Sequence, residues 1–166
     1  MATEMKSLNF GIEIETVGLD RNALAAAIKS VVGGQLAYAG NAVKVVMADG
    51  RAWSVVPDGS LSGGSLSGEV VSPILGYADI ETLQNIVRAI RKAGGRADSS
   101  CGIHIHVDGS RFNAKAVANL AKMVHKPERL LELALGVREH RLTRYCKPIE
   151  ASFIAAIDAT KPTTMP

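Results

Sequence analysis

Cysteine is scarce in this sequence, which has Cys101 and Cys146 and no others. The two do not form a metal-type Cys-x-x-Cys pair, and two are too few for a disulfide scaffold. We therefore expect both thiols to be reduced. Cys101 opens an apolar strand, so we interpret it as a small core residue rather than a nucleophile.

Aromatic residues and long apolar runs are also rare. Aromatics make up 4% of the chain and the formal net charge is only +3, which argues against a nucleic-acid-binding protein. No run of about 18 apolar residues is present, so no membrane-spanning helix is predicted. Residues 1–9 lack the apolar stretch of a signal peptide, and we expect a cytoplasmic protein.

What the sequence does contain is a mixture of strand and helix patterns, with 47% hydrophobic residues to form a core. Strands are predicted at residues 9–16, 68–75 and 101–108, and a hairpin at residues 43–57 with a type I′ turn at Asp49-Gly50. Helices are predicted after the following residues: Asp20 or Asn22, Asp79, Asn113 and Pro127. The mixture predicts an α+β fold with a mainly antiparallel sheet and helices packed on one face. We expect one domain over residues 1–157 and a flexible tail over residues 158–166.

Two of the predicted strands place metal-binding side chains on one face. In NFGIEIET this face holds Glu13 and Glu15, and in CGIHIHVD it holds His104 and His106. The two members of each pair are about 7 Å apart along the strand. If the strands are neighbours, all four side chains converge on one open sheet face, where Glu69 from GEVVSP can join them.

Carboxylates held this close repel each other, and a cation between them removes the repulsion. Carboxylate oxygens suit Mg²⁺ or Mn²⁺, and an imidazole shifts the preference toward Mn²⁺ or Zn²⁺. The alternative is a solvated sheet face, because polar residues alternate with apolar ones on many strands. The apolar partners on the opposite face favour the metal site, and the same alternation predicts that they are buried beneath the helices: Ile12, Ile14, Ile103 and Ile105.

Two further groups of polar residues are candidates for binding or catalysis. Asp58 lies in a loop rich in Gly and Ser and can orient an amine or a metal-bound water, whereas the serines of that loop are interpreted as flexible linker. Arg138, Arg141 and Arg144 recur at a spacing of three, which places them on one face of a helix. That face is either a solvated basic surface or a clamp for phosphate oxygens.

The ordered set of motifs resembles the amidoligase family, within the glutamine synthetase-like carboxylate–amine ligase superfamily. The motifs are FGIEIET, a Trp53-containing strand followed by DGSL, then GEVVSPIL, CGIHIHVD and REHRLTRYCKP. The resemblance implies antiparallel strands curved around an ATP and metal site. It also implies ATP- and Mg²⁺-dependent joining of a carboxylate to an amine, through an acyl phosphate, on a small-molecule or peptide substrate.

The resemblance also implies roles for individual residues. Its metal ligands are expected to be Glu13, Glu15, Glu69 and His106, and its nucleotide-binding residues His104, His106, Arg141 and Lys147. Asp58 and Arg144 are the expected catalytic residues, with Asp58 as the acceptor of the amine proton. Arg144 and Lys147 match basic residues that meet phosphate.

Members of this family usually carry a later strand with a Glu-Phe-Arg-like motif, which these 166 residues lack, so a truncated or reduced member is predicted. Two rival functions remain open. One is a metal-dependent hydrolase using the His-x-His pair, and the other is a non-catalytic relative that acts as a binding module. A second copy of the chain can supply a missing sheet edge or site wall, so a homo-oligomer is also expected.

Overall fold

The computed structural model describes residues 5–164, and within them six strands form a single antiparallel sheet. The strands are β1 (Phe10–Val17), β2 (Gln35–Ala39), β3 (Ala42–Val46), β4 (Ala52–Val56), β5 (Ser67–Val71) and β6 (Ile103–Val107). Their order across the sheet is β2-β3-β4-β5-β1-β6, and every neighbouring pair is antiparallel. The predicted α+β class and antiparallel sheet are therefore confirmed.

Six α-helices accompany the sheet in the described part of the chain. They are α1 (Arg21–Val32), α2 (Ile80–Ala93), α3 (Ala114–His125), α4 (Glu128–Ala134), α5 (Glu139–Arg144) and α6 (Ala151–Thr160). The chain divides into two compact units at Asp108. The sheet, α1 and α2 form the first unit, and α3 to α6 form the second.

The core of the first unit lies between one sheet face and the first two helices. α1 packs against β3, β4 and β5, and α2 packs against α1. Leu24 and Ile28 of α1 are fully buried against Trp53 and Val55 of β4. A Cβ at Gly68 of β5 would lie 3.0 Å from Val55 and 3.1 Å from Leu24, so glycine here allows the helix to approach the sheet closely.

Two of the predicted N-cap residues accept hydrogen bonds from the first turn of their helices. The Asp20 side chain accepts a hydrogen bond from the backbone of Ala23 at 2.8 Å, and Asn113 accepts one from Ala116 at 2.9 Å. Asp79 precedes α2, but its carboxylate accepts hydrogen bonds from the Gly76 amide and from Arg51.

The hairpin of β3 and β4 forms as predicted, but its turn is not of type I′. Such a turn needs positive φ at two residues, and here Gly50 has a φ of 85° while Asp49 does not have positive φ. The Gly50 amide donates to the Met47 carbonyl, and the Met47 amide donates to the Arg51 carbonyl. This is a three-residue loop that ends in a left-handed glycine.

Two predictions about the strands were incomplete or wrong. β2 was not predicted, because its sequence QLAYA is short and shows little contrast between its faces. Ile103 and Ile105 lie on the helix side of the sheet, as predicted, but they are 63% and 68% exposed rather than buried. β6 is the edge strand beyond β1, whereas α1 covers β3 to β5.

The end of the chain is more helical than its sequence pattern indicates. α6 runs from Ala151 to Thr160, where the helical periodicity of the sequence fades, and it includes the first residues of the predicted tail. Residues 165–166 of that tail lie outside the described residues. Within residues 5–164, the helices are too short or too polar to traverse a bilayer.

Candidate metal centre

The register of the central strands places the predicted acidic and imidazole side chains on one face of the sheet. Glu15 of β1 lies opposite Glu69 of β5, and Glu13 of β1 lies opposite His104 of β6. His106 lies opposite Gly11 on the same face. Directly opposed residues project to the same side of a sheet, so the two motif strands and β5 share one polar face.

Glu13 is the centre of the first cluster. Its Oε2 lies 2.9 Å from Nδ1 of His104, and its Oε1 lies 3.4 Å from Nε2 of His106. Glu13, Glu69 and His104 each offer a ligand atom within 4.8 Å of the others. We call these three residues the imidazole group. It contains His104, whereas the sequence pointed to His106 as the metal-ligating histidine.

A second cluster adjoins the first and shares one residue with it. Glu15, Asp58 and Glu69 also offer ligand atoms within 4.8 Å of one another, and we call them the carboxylate group. Glu15 is buried, with 8% of its surface exposed, whereas Asp58 and Glu69 are half-buried. Asp58, which the sequence pointed to as a catalytic residue, thus lies among the metal-capable carboxylates.

The pKa values of Glu69 and Glu13 are shifted in opposite directions. Partial burial raises the pKa of Glu69, and the neighbouring charges of Glu13, Asp58 and Glu15 raise it further. The hydrogen bond from His104 lowers the pKa of Glu13, and the same bond raises the pKa of His104. The carboxylate group is therefore a concentration of negative charge, and the imidazole beside Glu13 compensates only part of it.

The donor set of these groups fits a divalent cation. Three carboxylates around one point match the oxygen preference of Mg²⁺ and Mn²⁺, and the imidazole group adds a nitrogen ligand that Mn²⁺ also accepts. Burial and then the charges of Glu13, Asp58 and Glu15 raise the pKa of Glu69, and a cation bound there would oppose this shift. Glu69, as the shared member, can bridge two cations.

Backbone groups hold Glu15 in place. The Gly102 amide, just before β6, donates a hydrogen bond to Oε2 of Glu15 at 2.5 Å. The Glu15 amide donates in return to the Gly102 carbonyl at 3.1 Å. These hydrogen bonds hold the Glu15 backbone and one of its carboxylate oxygens, which restricts rotation of the side chain within the cluster.

Asp58 is held by the loop that carries it. Its Oδ1 accepts a hydrogen bond from the Ser60 amide at 2.7 Å, which fixes the start of the loop after β4. Leu61 is buried with 6% exposure and anchors the same loop. The DGSLSG segment is thus better ordered than the flexible linker that its composition indicates.

One basic residue on this face was not identified from the sequence. The register joins Lys44 of β3 to Ser54, Ser54 to Val71, and Val71 to Glu13. These four side chains form one row across the open face, with Lys44 three strands from Glu13. The alternation of polar and apolar residues in β3 indicates that Lys44 faces away from the core. It does not place Lys44 in line with Glu13 until the register of β3 with β4 and β5 is known.

The predicted basic residues lie in the second unit, which is described by itself. Arg141 and Arg144 both belong to α5, and both guanidinium groups approach the ring of Tyr145, at 5.2 and 5.3 Å from its centroid. Lys147 follows the end of this helix. The predicted spacing thus brings Arg141 and Arg144 to the same aromatic side chain.

A cavity of about 400 Å³ adjoins His106 on the first unit. Its walls include Asn9, Gly11, Ser72 and Asp108 as well as His106. A Cβ at Gly11 would meet only ordinary contacts, 3.8 Å from His106 and 3.9 Å from Ser72, so the protein's own packing does not require glycine. Because Gly11 has no side chain, the cavity is open beside the imidazole of His106.

One comparison with known proteins gives a match. The model of a family described as "Putative amidoligase enzyme" matches residues 6–166, which is almost the entire chain. No curated protein and no solved structure matches the chain.

Proposed function

This chain belongs to the amidoligase family, and on that premise we propose that it joins a carboxylate to an amine at the expense of ATP. Family membership indicates a ligase-type enzyme. The observation that supports the finer proposal is the convergence of Glu13, Glu15, Glu69 and His104 on one open sheet face. ATP is a polyanion, and these carboxylates would repel it unless cations lay between them.

We assign divalent cations to the two groups that share Glu69. The imidazole group would hold one cation through Glu13, Glu69 and His104, and the carboxylate group would hold another. Bound Mg²⁺ would neutralise charge on the phosphate oxygens of ATP. The carboxylate-rich composition argues for Mg²⁺ or Mn²⁺ rather than a Zn²⁺ hydrolase site, in which imidazole and thiolate ligands usually dominate.

The reaction then takes place in two steps. An oxygen of the substrate carboxylate attacks the γ-phosphorus of ATP, and the bond from this phosphorus to the β-phosphate oxygen breaks. ADP is released, and the carboxylate has become an acyl phosphate. The amine nitrogen next attacks the acyl carbon, and inorganic phosphate leaves as the amide forms. The protein contributes by positioning the reactants and compensating charge, as in other phosphoryl transfers.

Individual side chains contribute to orientation and to proton transfer. His106 lies between Glu13 and the cavity beside Gly11, so we assign the nucleotide to that cavity and the imidazole to its phosphates. Asp58 is the member of the carboxylate group that is carried by a loop. We assign the proton that the attacking amine loses to the Asp58 oxygen that would not bind the cation.

The test is ATP turnover with a trapping nucleophile. Hydroxylamine attacks acyl phosphates, so a panel of carboxylates incubated with ATP, Mg²⁺ and hydroxylamine should yield one hydroxamate for each ADP. Glu15→Gln should abolish the product, because it removes a cation ligand that is held by the backbone. ADP release without hydroxamate from any carboxylate would refute the ligase proposal, and amide hydrolysis without ATP would support the metal-dependent hydrolase instead.

A further inference from the structure

An aspartate outside the two metal-capable groups joins the loop after β4, which carries Asp58, to the turn before β6. Asp98 lies in the turn before β6, and its Oδ1 accepts hydrogen bonds from the amide and the hydroxyl of Ser100 at 2.8 and 2.6 Å. Its Oδ2 accepts a hydrogen bond from the hydroxyl of Ser62, 36 residues earlier in the chain, at 2.5 Å. The Ser62 amide donates to the Ser100 hydroxyl at 3.0 Å, which closes the connection.

One side of this connection leads to Glu15. The Asp98 carbonyl accepts the Cys101 amide at 3.1 Å, so the residues from Asp98 to Cys101 form a compact turn. The next residue, Gly102, donates its amide to Oε2 of Glu15. This turn therefore immediately precedes the amide that holds the buried carboxylate.

The other side leads to Asp58. Ser62 follows Leu61, the buried anchor of the loop after β4, and Asp58 stands at the start of that loop. The Leu61 amide donates to the Asp58 carbonyl at 3.4 Å, and the Ser60 amide donates to the Asp58 side chain. The hydrogen bonds of Ser62 therefore fix the far end of a short loop whose near end presents Asp58.

We propose that Asp98 is a positioning residue that holds Glu15 and Asp58 in place within the carboxylate group. Asp98 acts through the Gly102 amide on one side and through Ser62 on the other. The proposal rests on the proposed function, because it concerns the geometry of a group assigned there to cation binding. A carboxylate is suited to this role because its two oxygens accept several hydrogen bonds at once, and bonds to a charged acceptor are stronger than neutral ones.

The role predicts a selective effect on cation binding. Asp98→Ala removes every hydrogen bond that the Asp98 carboxylate accepts, whereas Asp98→Asn keeps one acceptor oxygen and the shape of the side chain. Loss of partners that orient metal ligands typically lowers metal affinity about 10- to 100-fold. We expect a loss on the order of tenfold for one Mn²⁺ in Asp98→Ala, a smaller loss in Asp98→Asn, and no change for the cation of the imidazole group.

The experiment is a titration of the full chain with Mn²⁺. Calorimetry measures the heat of binding, and electron paramagnetic resonance measures the concentration of free Mn²⁺. Asp49→Ala is the matched control, since Asp49 is also exposed and also accepts backbone and side-chain hydrogen bonds, here from Arg51. A merely structural role would lower the melting temperature and weaken both cations together. Hydrogen exchange of the Gly102 amide should quicken in Asp98→Ala and remain unchanged in Asp49→Ala.

The outcomes separate this inference from the proposed function. If the wild-type chain binds no Mn²⁺, the proposed function fails, and the positioning role fails with it. If the wild-type chain binds Mn²⁺ and Asp98→Ala binds it equally well, only the positioning role is wrong. If Asp98→Ala does not fold, Ser62→Ala decides, because it removes the one hydrogen bond between Asp98 and the Asp58 loop and leaves the bonds between Asp98 and Ser100. Unchanged Mn²⁺ affinity in Ser62→Ala would then overturn the inference.

Discussion

Glu15 and Glu69 lie directly opposite each other on β1 and β5, and both carboxylates project from the open face of the sheet. Like charges in this cross-strand position destabilise a sheet. Glu15 is buried, and both belong to a group that Asp58 completes. A cation bound at this group would convert three mutually repelling carboxylates into ligands, so we expect the arrangement to be unfavourable without metal and favourable with it.

We predict that Glu69→Gln stabilises the metal-free chain and abolishes the response of its stability to Mg²⁺. Removing one like charge from a cross-strand pair should increase the free energy of unfolding by up to about 1 kcal/mol. Thermal melts with Mg²⁺ and with a chelator measure both effects. Glu81→Gln, on the exposed surface of α2, is the control and should leave the Mg²⁺ response intact. A lower stability of metal-free Glu69→Gln would contradict the prediction.

We predict that pH acts on stability in opposite directions without and with Mg²⁺. The pKa of Glu69 is raised in the folded chain, by burial first and then by Glu13, Asp58 and Glu15. A carboxyl with a higher pKa in the folded than in the unfolded chain binds its proton more tightly when folded, so protonation favours folding. The contribution of Glu69 is therefore favourable at low pH and is lost as the pH rises through the raised pKa.

Melts of the wild-type chain and of Glu69→Gln between about pH 4 and about pH 8 measure this contribution as a difference. In the metal-free state, the wild-type chain should lose stability relative to Glu69→Gln as the pH rises. With saturating Mg²⁺ the order should reverse, because the cation competes with the proton for the carboxylate. A wild-type chain that gains stability relative to the variant in both conditions would refute the repulsion that we describe.

The edge position of β6 gives a prediction about packing. Ile105 is 68% exposed, so Ile105→Ala should lower the free energy of unfolding by less than about 1 kcal/mol. Ile28 is fully buried between α1 and the sheet, and Ile28→Ala should cost about 2–5 kcal/mol. Chemical denaturation of the two variants measures the contrast. A similar cost for both would mean that β6 is covered in solution.

These strands also illustrate what the sequence can predict. Alternation in FGIEIET and CGIHIHVD correctly indicated which side chains share a face, because side chains alternate strictly along any strand. It did not indicate burial, since Ile103 and Ile105 depend on how far α1 and α2 extend across the sheet. Likewise, the turn at Asp49-Gly50 was predicted, but its type depends on the register of β3 and β4.

The candidate site was predictable in part for the same reason. Glu13 and Glu15 follow from the alternation of β1, and pairing with β5 and β6 then adds Glu69 and His104. The place of Asp58 beside Glu15 depends on the loop that Leu61 anchors, and the amide of Gly102 has no side chain that a motif could reveal. Two features of the candidate site could therefore not be predicted from local sequence patterns. They are the register between strands that are distant in the chain and the hydrogen bonds donated by backbone amides.

The basic residues of α5 are predicted to matter less than the acidic pair. Arg144→Ala removes one charge from a side chain that already lies against Tyr145, so affinity for an ATP analogue should fall by less than about tenfold. The double change Glu13→Gln with Glu15→Gln should remove measurable Mg²⁺-dependent binding. Parallel titrations compare the two, with Arg88→Ala on α2 as a control for loss of a surface charge. A larger effect for Arg144→Ala than for the double change would contradict this ranking.

The most direct test of the proposed metal-bridged nucleotide site is isothermal titration of a non-hydrolysable ATP analogue, once with Mg²⁺ and once with a chelator. Without metal, Glu13 and Glu15 would repel the triphosphate, and with metal the bridging cation would attract it. We predict binding with Mg²⁺ alone, and loss of that binding in the Glu13→Gln and Glu15→Gln double variant. Equal affinity of the wild-type chain in Mg²⁺ and in chelator, or no binding in either, would contradict the account.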